Sequence, residues 1–319
     1  MSAHFFIADL EPGSVRGTYR VEGARLRQTA HGDNYLDLTL ADKTGSLRAK
    51  VWQATEDMFA SVPEGAFIDV NARIELYRDQ NQMVIEGFKC VDASEVDIAL
   101  YRAVAPIDPE EELASIKALL DSIEDEDLRA LADLYMEDEH FFECFTTWPA
   151  AKAHHHPYLN GLLEHVNSVM KLGAAMCAHY EWLDRDIVLM GLFLHDSGKI
   201  VELIRDPAPG YSVEGELLGH ITIGICMLHE MAGKLEDFPP HRLLQLKHII
   251  LSHHENPEYG SPKPPMFAEA QIVHTIEMMD AKINAFMRET EAKAERSDAL
   301  GSLRRSGLLR RSLYTPPEE

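Results

Sequence analysis

Between residues 5 and 91 apolar and polar positions alternate in short runs. Tyr35-Leu36-Asp37-Leu38-Thr39-Leu40 and Leu47-Arg48-Ala49-Lys50-Val51-Trp52 each put every second side chain on one face, the two-residue period of a half-buried strand. Asp42-Lys43-Thr44-Gly45 between them is turn chemistry and predicts a hairpin. Strand-like runs recur at 66–76, after the turn Pro63-Glu64-Gly65, and at 82–88. About five strands in this length predict a small closed barrel.

Pro106 and Pro109 end the alternation, and beyond them apolar residues recur at three and four. This helical spacing runs through 110–120 and 127–135, both with acidic first turns, and through 156–179, 184–199, 213–234, 241–254 and 267–293. Gly198, Pro207-Ala208-Pro209-Gly210, Pro239-Pro240 and the prolines at 262, 264 and 265 punctuate it. The pattern predicts an all-β unit over 1–100, an acidic helical connector over 101–145, an all-helical unit over 146–293 and a basic mobile tail over 294–319.

With 319 residues, 45% apolar and 26% charged, the chain can build two ordinary cores. No apolar run approaches the roughly 18–20 residues that cross a bilayer, and residues 1–10 lack a basic flank followed by an apolar stretch. A cytoplasmic protein without a membrane partner is expected. Cys90, Cys144, Cys177 and Cys226 form no C-x-x-C pair and read as buried free thiols. The net charge of −23 opposes non-specific attraction to phosphates. Nearly half of it lies in residues 101–145, with 3 basic and 14 acidic side chains, most simply a solvated helical face. Nucleic-acid binding would need a local basic face, and a homo-oligomer combining several barrels would ease the acidity.

Sixteen histidines are many for this length, and most fall between residues 154 and 274. The sharpest element is Leu194-His195-Asp196-Ser197-Gly198-Lys199, where a strongly apolar helix ends in two adjacent metal-capable side chains, a glycine able to cap it and a cation. A buried His-Asp pair without a metal or another charged partner is costly. His165, His220, His253, His254 and Asp280 also follow apolar residues that face a core. Imidazole and carboxylate without thiolate suit one or two divalent ions, manganese first, with iron, magnesium, cobalt or zinc as alternatives.

These stretches resemble the HD superfamily, whose ordered pattern is H…HD…D. Within it they are most similar to the bacterial YhaM-type 3′→5′ exoribonucleases, which join an N-terminal OB-fold to an HD domain. The matching segments are His155-His156-Pro157-Tyr158-Leu159-Asn160-Gly161-Leu162-Leu163-Glu164-His165, Leu194-His195-Asp196-Ser197-Gly198-Lys199, Glu214-Gly215-Glu216-Leu217-Leu218-Gly219-His220-Ile221, Ile250-Leu251-Ser252-His253-His254 and Met279-Asp280-Ala281-Lys282. With the barrel they cover most of residues 5–290. The resemblance implies a multidomain α and β chain, a five-stranded OB-like barrel followed by an all-α HD domain. It implies that His165, His195, Asp196 and Asp280 bind a first metal and that Asp196 bridges to a second held by His220 and His253, with His254 the alternative to its neighbour. Lys199 would face substrate phosphate. Asn160 stands where the family often has glycine, and Glu277 stands near an expected aspartate, a competitor for the role given to Asp280. The implied activity is metal-dependent hydrolysis of single-stranded RNA, or DNA, from the 3′ end, with Asp196 and Lys199 catalytic.

Two other functions fit the same residues. One is a phosphohydrolase for a small nucleotide such as a cyclic dinucleotide, although Glu258-Tyr259-Gly260-Ser261-Pro262 does not reproduce the Gly-Tyr-Pro element of that branch. The other is a non-catalytic nucleic-acid-binding regulator with a structural metal, disfavoured because a structural site gains nothing from an open position. In the barrel, Tyr35, Trp52 and Tyr77 are candidates for base stacking and Arg27, Arg48 and Lys50 for phosphates, though each aromatic could equally fill the core. A histidine on an apolar face often only donates to a carbonyl, which makes His220 and His253 weaker ligand candidates; His179, His229, His241, His248 and His274 read as structural, although His274 lies in the family stretch before Asp280. Lys199 could merely complement a helix C-terminus.

Overall fold

Alternation in the first hundred residues resolves into five strands: β1 (Gly13–Gln28), β2 (Asn34–Asp42), β3 (Gly45–Trp52), then after a short helix α1 (Glu56–Ala60), β4 (Phe67–Tyr77) and β5 (Gln80–Val91). They come from a computed structural model that describes residues 4–29, 32–77, 80–101, 105, 107–151, 158–204, 210–290, 296–298, 300–306 and 309–317. The strands close in the order β1-β2-β3-β5-β4, with β3 and β5 parallel and the other pairs antiparallel. This is the five-stranded barrel of the OB-fold. The hairpin at 42–45 forms as expected, with Asp42 opposite Gly45. Strand β1 is hard to read because Gly17 and Gly23 interrupt its alternation. A bulge between Val21 and Gly23 bends it so that one strand pairs with both β2 and β4. Tyr19, Val21, Leu36, Leu38, Leu40 and Ile68 point inward and fill the core.

A second unit, residues 105–204 with 210–319, has its own core. Its helices are α2 (Pro109–Asp121), α3 (Glu126–Glu137), α4 (Glu139–Thr147), α5 (Gly161–His179), α6 (Arg185–Leu194), α7 (Lys199–Glu202), α8 (Val213–Ala232), α9 (Pro240–Ser252) and α10 (Ala268–Thr290), with a two-residue pair β6 (Leu203–Ile204) and β7 (Gly210–Tyr211) between α7 and α8. The helices of the acidic segment are amphipathic. Ile116, Leu128, Leu131, Tyr135 and Phe141 enter the helical core, while Asp108, Asp125 and Asp138 accept backbone N–H groups at the starts of α2, α3 and α4. Arg242 clamps Asp125 and Asp184, at 2.9 and 2.6 Å.

Residues expected as a mobile tail form a three-stranded antiparallel sheet, β8 (Arg296–Asp298), β9 (Gly301–Ser306) and β10 (Arg311–Thr315), in the order β10-β9-β8. Arginines on both strand faces hide its alternation, yet Arg304 turns inward onto Glu289 of α10 and Leu313 is buried. The thiols also differ from expectation: Cys144 and Cys177 are buried, but Cys90 and Cys226 occupy outward positions on β5 and α8 and are exposed. Among the described residues no helix is long and apolar enough to cross a membrane. His154, His155 and His156 lie outside the described residues.

Candidate functional site

Helix α6 brings charge into the core. Every residue from Ile187 to Leu194 is buried, and burial of each large aliphatic side chain contributes about 1.5–3 kcal/mol, enough to hold polar groups at the helix end where water cannot reach. His195 and Asp196, both fully buried, follow in the turn that joins α6 to α7. Gly198 lets that turn touch α8: a Cβ there would lie 2.1 Å from the His220 carbonyl oxygen. On α8 the backbone breaks at Gly219, with φ 69° and ψ 156°, a conformation open essentially to glycine alone. The break frees the His220 N–H, which donates to Glu202 Oε1 at 2.9 Å, and the same oxygen accepts from His220 Nδ1 at 3.0 Å. At the start of α5, Asn160 has φ 63° and donates to the Thr146 carbonyl at 2.6 Å. A left-handed residue is what glycine or asparagine supplies, so the exchange is conservative in backbone terms.

Five imidazoles are tethered the same way. His195 Nδ1 lies 2.8 Å from the Leu192 carbonyl, His253 Nδ1 2.8 Å from that of Ile250, and His254 Nδ1 2.6 Å from that of Tyr259. A carbonyl can only accept, so Nδ1 carries the proton and Nε2 keeps its lone pair. His220 is tied to Glu202, and His165 Nδ1 faces Asp280 Oδ2 at 2.9 Å. Asp280 Oδ1 in turn accepts from Ser168.

The Nε2 atoms converge on Asp196. Its Oδ2 lies 3.4 Å from His195 Nε2 and 3.6 Å from His165 Nε2, and its Oδ1 lies 3.7 Å from Nε2 of both His220 and His253. His165 and His195 Nε2 face each other at 3.2 Å. Asp196 Oδ1, His220 Nε2 and His253 Nε2 are buried and have no hydrogen-bond partner among the described residues. Two donor sets result, Asp196-His220-His253-His254 and His165-His195-Glu277, each with ligand atoms within 4.8 Å of one another. Lone pairs at such separations repel unless a cation lies between them, so the donor set fits divalent metal. The carboxylate completing the second set is Glu277; Asp280 stands one step back, on the far nitrogen of His165. Lys199, also buried, donates to Asp196 Oδ2 at 2.6 Å.

The electrostatics keep these groups ready to bind a cation. Burial pushes His195 down to about 3 and His254 to about 4, and holds His253 well below its ordinary 6.5, so all three imidazoles stay neutral at pH 7. Burial alone would raise the Asp196 carboxyl, but Lys199 and the surrounding imidazoles outweigh it and hold the group well below its ordinary 3.8. Burial raises Glu277. In the unfolded chain the histidines protonate near 6.5. The unfolded state therefore takes up protons first as pH falls, and stability contributed by neutral His195, His253 and His254 is present above about 6.5 and lost toward pH 4 and then 3. Urea unfolding of the chelator-treated protein is expected to have a lower midpoint at pH 5 than at pH 7. An unchanged or higher midpoint would contradict the burial of neutral rings.

On the barrel, Tyr35 and Trp52 are cross-strand partners with ring centroids 5.2 Å apart. The Lys50 ammonium sits 5.5, 5.2 and 5.6 Å from the rings of Tyr35, Trp52 and Tyr77. Trp52 and Tyr77 are about half exposed, at 47% and 54%, so these rings form an outward aromatic platform rather than core. Arg48 is exposed on the same face of β3 as Lys50, whereas Arg27 is paired with Asp37 at 3.2 Å.

The family model for the HD domain matches residues 162–281, the segment that holds all five tethered histidines. The 3′-5′ exoribonuclease YhaM of Listeria monocytogenes serovar 1/2a is 33% identical over 98% of this chain and 99% of the relative. The chain belongs to the YhaM 3′-5′ exoribonuclease family. The YhaM of Bacillus subtilis strain 168 is 35% identical over 82% of this chain and 83% of the relative. Among solved structures, the second OB-fold domain of replication protein A from Methanococcus maripaludis is 21% identical, covers 28% of this chain and 96% of that domain, and has a TM-score of 0.23. HD domains bind divalent metal, and the two donor sets are groups among the described residues that could hold it.

Two further side chains support the tethered histidines. Glu202 lies at the end of α7 and looks in sequence like any solvent-facing acid; only the break at Gly219 gives its carboxylate an unpaired N–H to accept. His274, read as structural, donates from Nδ1 to the His253 carbonyl at 2.7 Å and so helps aim that ring.

Proposed function

We infer that the protein is a metal-dependent 3′→5′ exoribonuclease that uses two divalent ions. The observation that carries this reading is the tethering of five histidines by Nδ1 so that their Nε2 lone pairs gather around one buried carboxylate. His165, His195 and Glu277 would hold one ion, and His220, His253 and His254 the other, with Asp196 offering one oxygen to each. Nitrogen and oxygen donors without thiolate favour Mn²⁺, with Fe, Mg, Co or Zn as alternatives. Bound ions polarise phosphoryl oxygens and lower the pKa of water. Asp280 and Glu202 fix the tautomers of His165 and His220, and Lys199 is the cation beside Asp196 that balances phosphate charge. On the barrel, Trp52, Tyr35 and Tyr77 stack successive bases while Lys50 and Arg48 meet phosphates, with Arg27 free to join them once released from Asp37. A small-nucleotide phosphohydrolase would have no use for such a platform, so single-stranded RNA, or DNA, is the substrate.

The test is 5′-labelled single-stranded RNA incubated with protein and Mn²⁺, with a chelator control. A ladder shortening from the 3′ end and lost on chelation is expected. Intact RNA under conditions where a small phosphodiester is hydrolysed would move the function to small nucleotides. Glu202 gives a second check. Removing such a support for a ligating histidine typically lowers metal affinity or activity about 10–100-fold. Glu202→Ala is expected to do so, while Glu202→Gln, which keeps an acceptor oxygen, loses less. Metal content after dialysis distinguishes the two, and wild-type retention by Glu202→Ala would remove its positioning role.

A further inference from the structure

The sheet β8–β10 takes no part in the metal centre or the barrel platform, and its two faces differ. On the inner face Arg304 donates to Glu289 at 2.5 Å, and the Arg311 guanidinium lies 6.0 Å from the Phe286 ring. On the outer face Leu303 pairs with Tyr314 and Arg305 with Ser312, which puts Arg305 diagonally beside Tyr314. Tyr314 is 59% exposed. Its ring is nonetheless fixed: the hydroxyl donates to the Leu300 carbonyl at 2.7 Å, and a Cβ on Gly301 would lie 2.7 Å from the ring. Gly301, at φ 124°, therefore supplies both the turn and the seat on which the ring rests. Arg305 and Arg310 are exposed and have no carboxylate partner among the described residues.

A fixed aromatic ring beside the unpaired Arg305 guanidinium, with Arg310 exposed in the turn before β10, is suited to stack one base and meet adjacent phosphates. In a chain of net charge −23, such groups select a polyanion. The location fits. Sheet and metal centre share α10, which carries Glu277 near its middle and Glu289 at its end, about 18 Å apart along the axis. We propose that the outer face of this sheet binds single-stranded RNA a few nucleotides upstream of the 3′ end. This rests on the exoribonuclease reading for its direction but not for the binding itself.

The experiment measures anisotropy of a labelled 20-nucleotide RNA with chelator present, so that no cleavage occurs, for wild type, Tyr314→Ala and the surface pair Arg305→Glu/Arg310→Glu. Each variant is expected to weaken binding by about 10-fold, and the charge variant to flatten the salt dependence. Hydrolysis of a dinucleotide, too short to reach the sheet, should stay within twofold. Wild-type RNA affinity in both variants overturns the proposal, and the charge pair decides should Tyr314→Ala fail to fold. Loss of affinity that accompanies a change from oligomer to monomer in light scattering also overturns it, assigning the face to a second copy of the chain. Wild-type protein that binds RNA through this sheet yet never shortens it would sink the exoribonuclease reading while leaving the RNA surface standing.

Discussion

Replacing Asp196 by asparagine is expected to lower RNA hydrolysis by about three orders of magnitude and to leave the protein with less than its full complement of metal. The side chain is fully buried, with its two oxygens facing different imidazole pairs at 3.4–3.7 Å. An amide keeps the shape, removes the charge and turns an N–H₂ toward one pair of lone pairs. Transition-state stabilisation from bound ions amounts to several kcal/mol, and each 1.36 kcal/mol is tenfold in rate, which gives the expected loss. A second consequence is structural. Lys199, 5% exposed, would lose the carboxylate it contacts at 2.6 Å, and breaking a buried pair by removing one partner costs about 3–5 kcal/mol. The double variant Asp196→Asn/Lys199→Met should therefore recover much of the thermal stability while remaining inactive. Metal content by mass spectrometry, Tm and RNA turnover separate the two effects. An Asp196→Asn variant with both ions and near-normal turnover would show that the cluster is not the catalytic centre.

What the sequence made legible follows from period and spacing. Strands β2 to β5 alternate cleanly because one face of each meets the barrel core, and α6 reads as buried because it is apolar all round. The histidine motifs are legible because each follows such a run. Backbone events are less visible. Nothing in Leu217-Leu218-Gly219-His220 shows that the helix opens at Gly219, and without that break Glu202 has no reason to approach His220. The aromatic platform was ambiguous for a related reason: on a small barrel the same alternation permits a ring to face in or out, and only the register pairing Tyr35 with Trp52 outside buried Leu36 and Val51 decides it. The C-terminal sheet was hidden by arginines, since satisfaction of Arg304 by Glu289 lets a charged residue take an inward position.

Glu277 and Asp280 show where motif and geometry diverge, and they yield the second large effect. The motif points to Asp280, yet that carboxylate lies 2.9 Å from His165 Nδ1, accepts from Ser168 and belongs to neither donor set among the described residues. Glu277, three residues earlier on α10 and 5% exposed, places an oxygen within 4.8 Å of the ligand nitrogens of His165 and His195. Aspartate at that position would carry its carboxylate one methylene short, so glutamate extends the reach. Burial holds its carboxyl above the ordinary 4.5, with His165 pulling it back and Asp196 adding to the rise. Glu277→Ala is expected to empty the His165-His195 position and lower turnover by about 10²–10³-fold, the several kcal/mol that one ion supplies. Asp280→Asn keeps an oxygen for His165 Nδ1 and should weaken metal binding only about 10-fold, with turnover restored by excess Mn²⁺. Metal stoichiometry and a Mn²⁺ titration of turnover distinguish the roles: ligand loss is not rescued by excess ion, whereas loss of an orienting partner is. If Asp280→Asn empties the position and Glu277→Ala fills normally, Asp280 is the ligand after all, and α10 must turn on metal binding to bring it in.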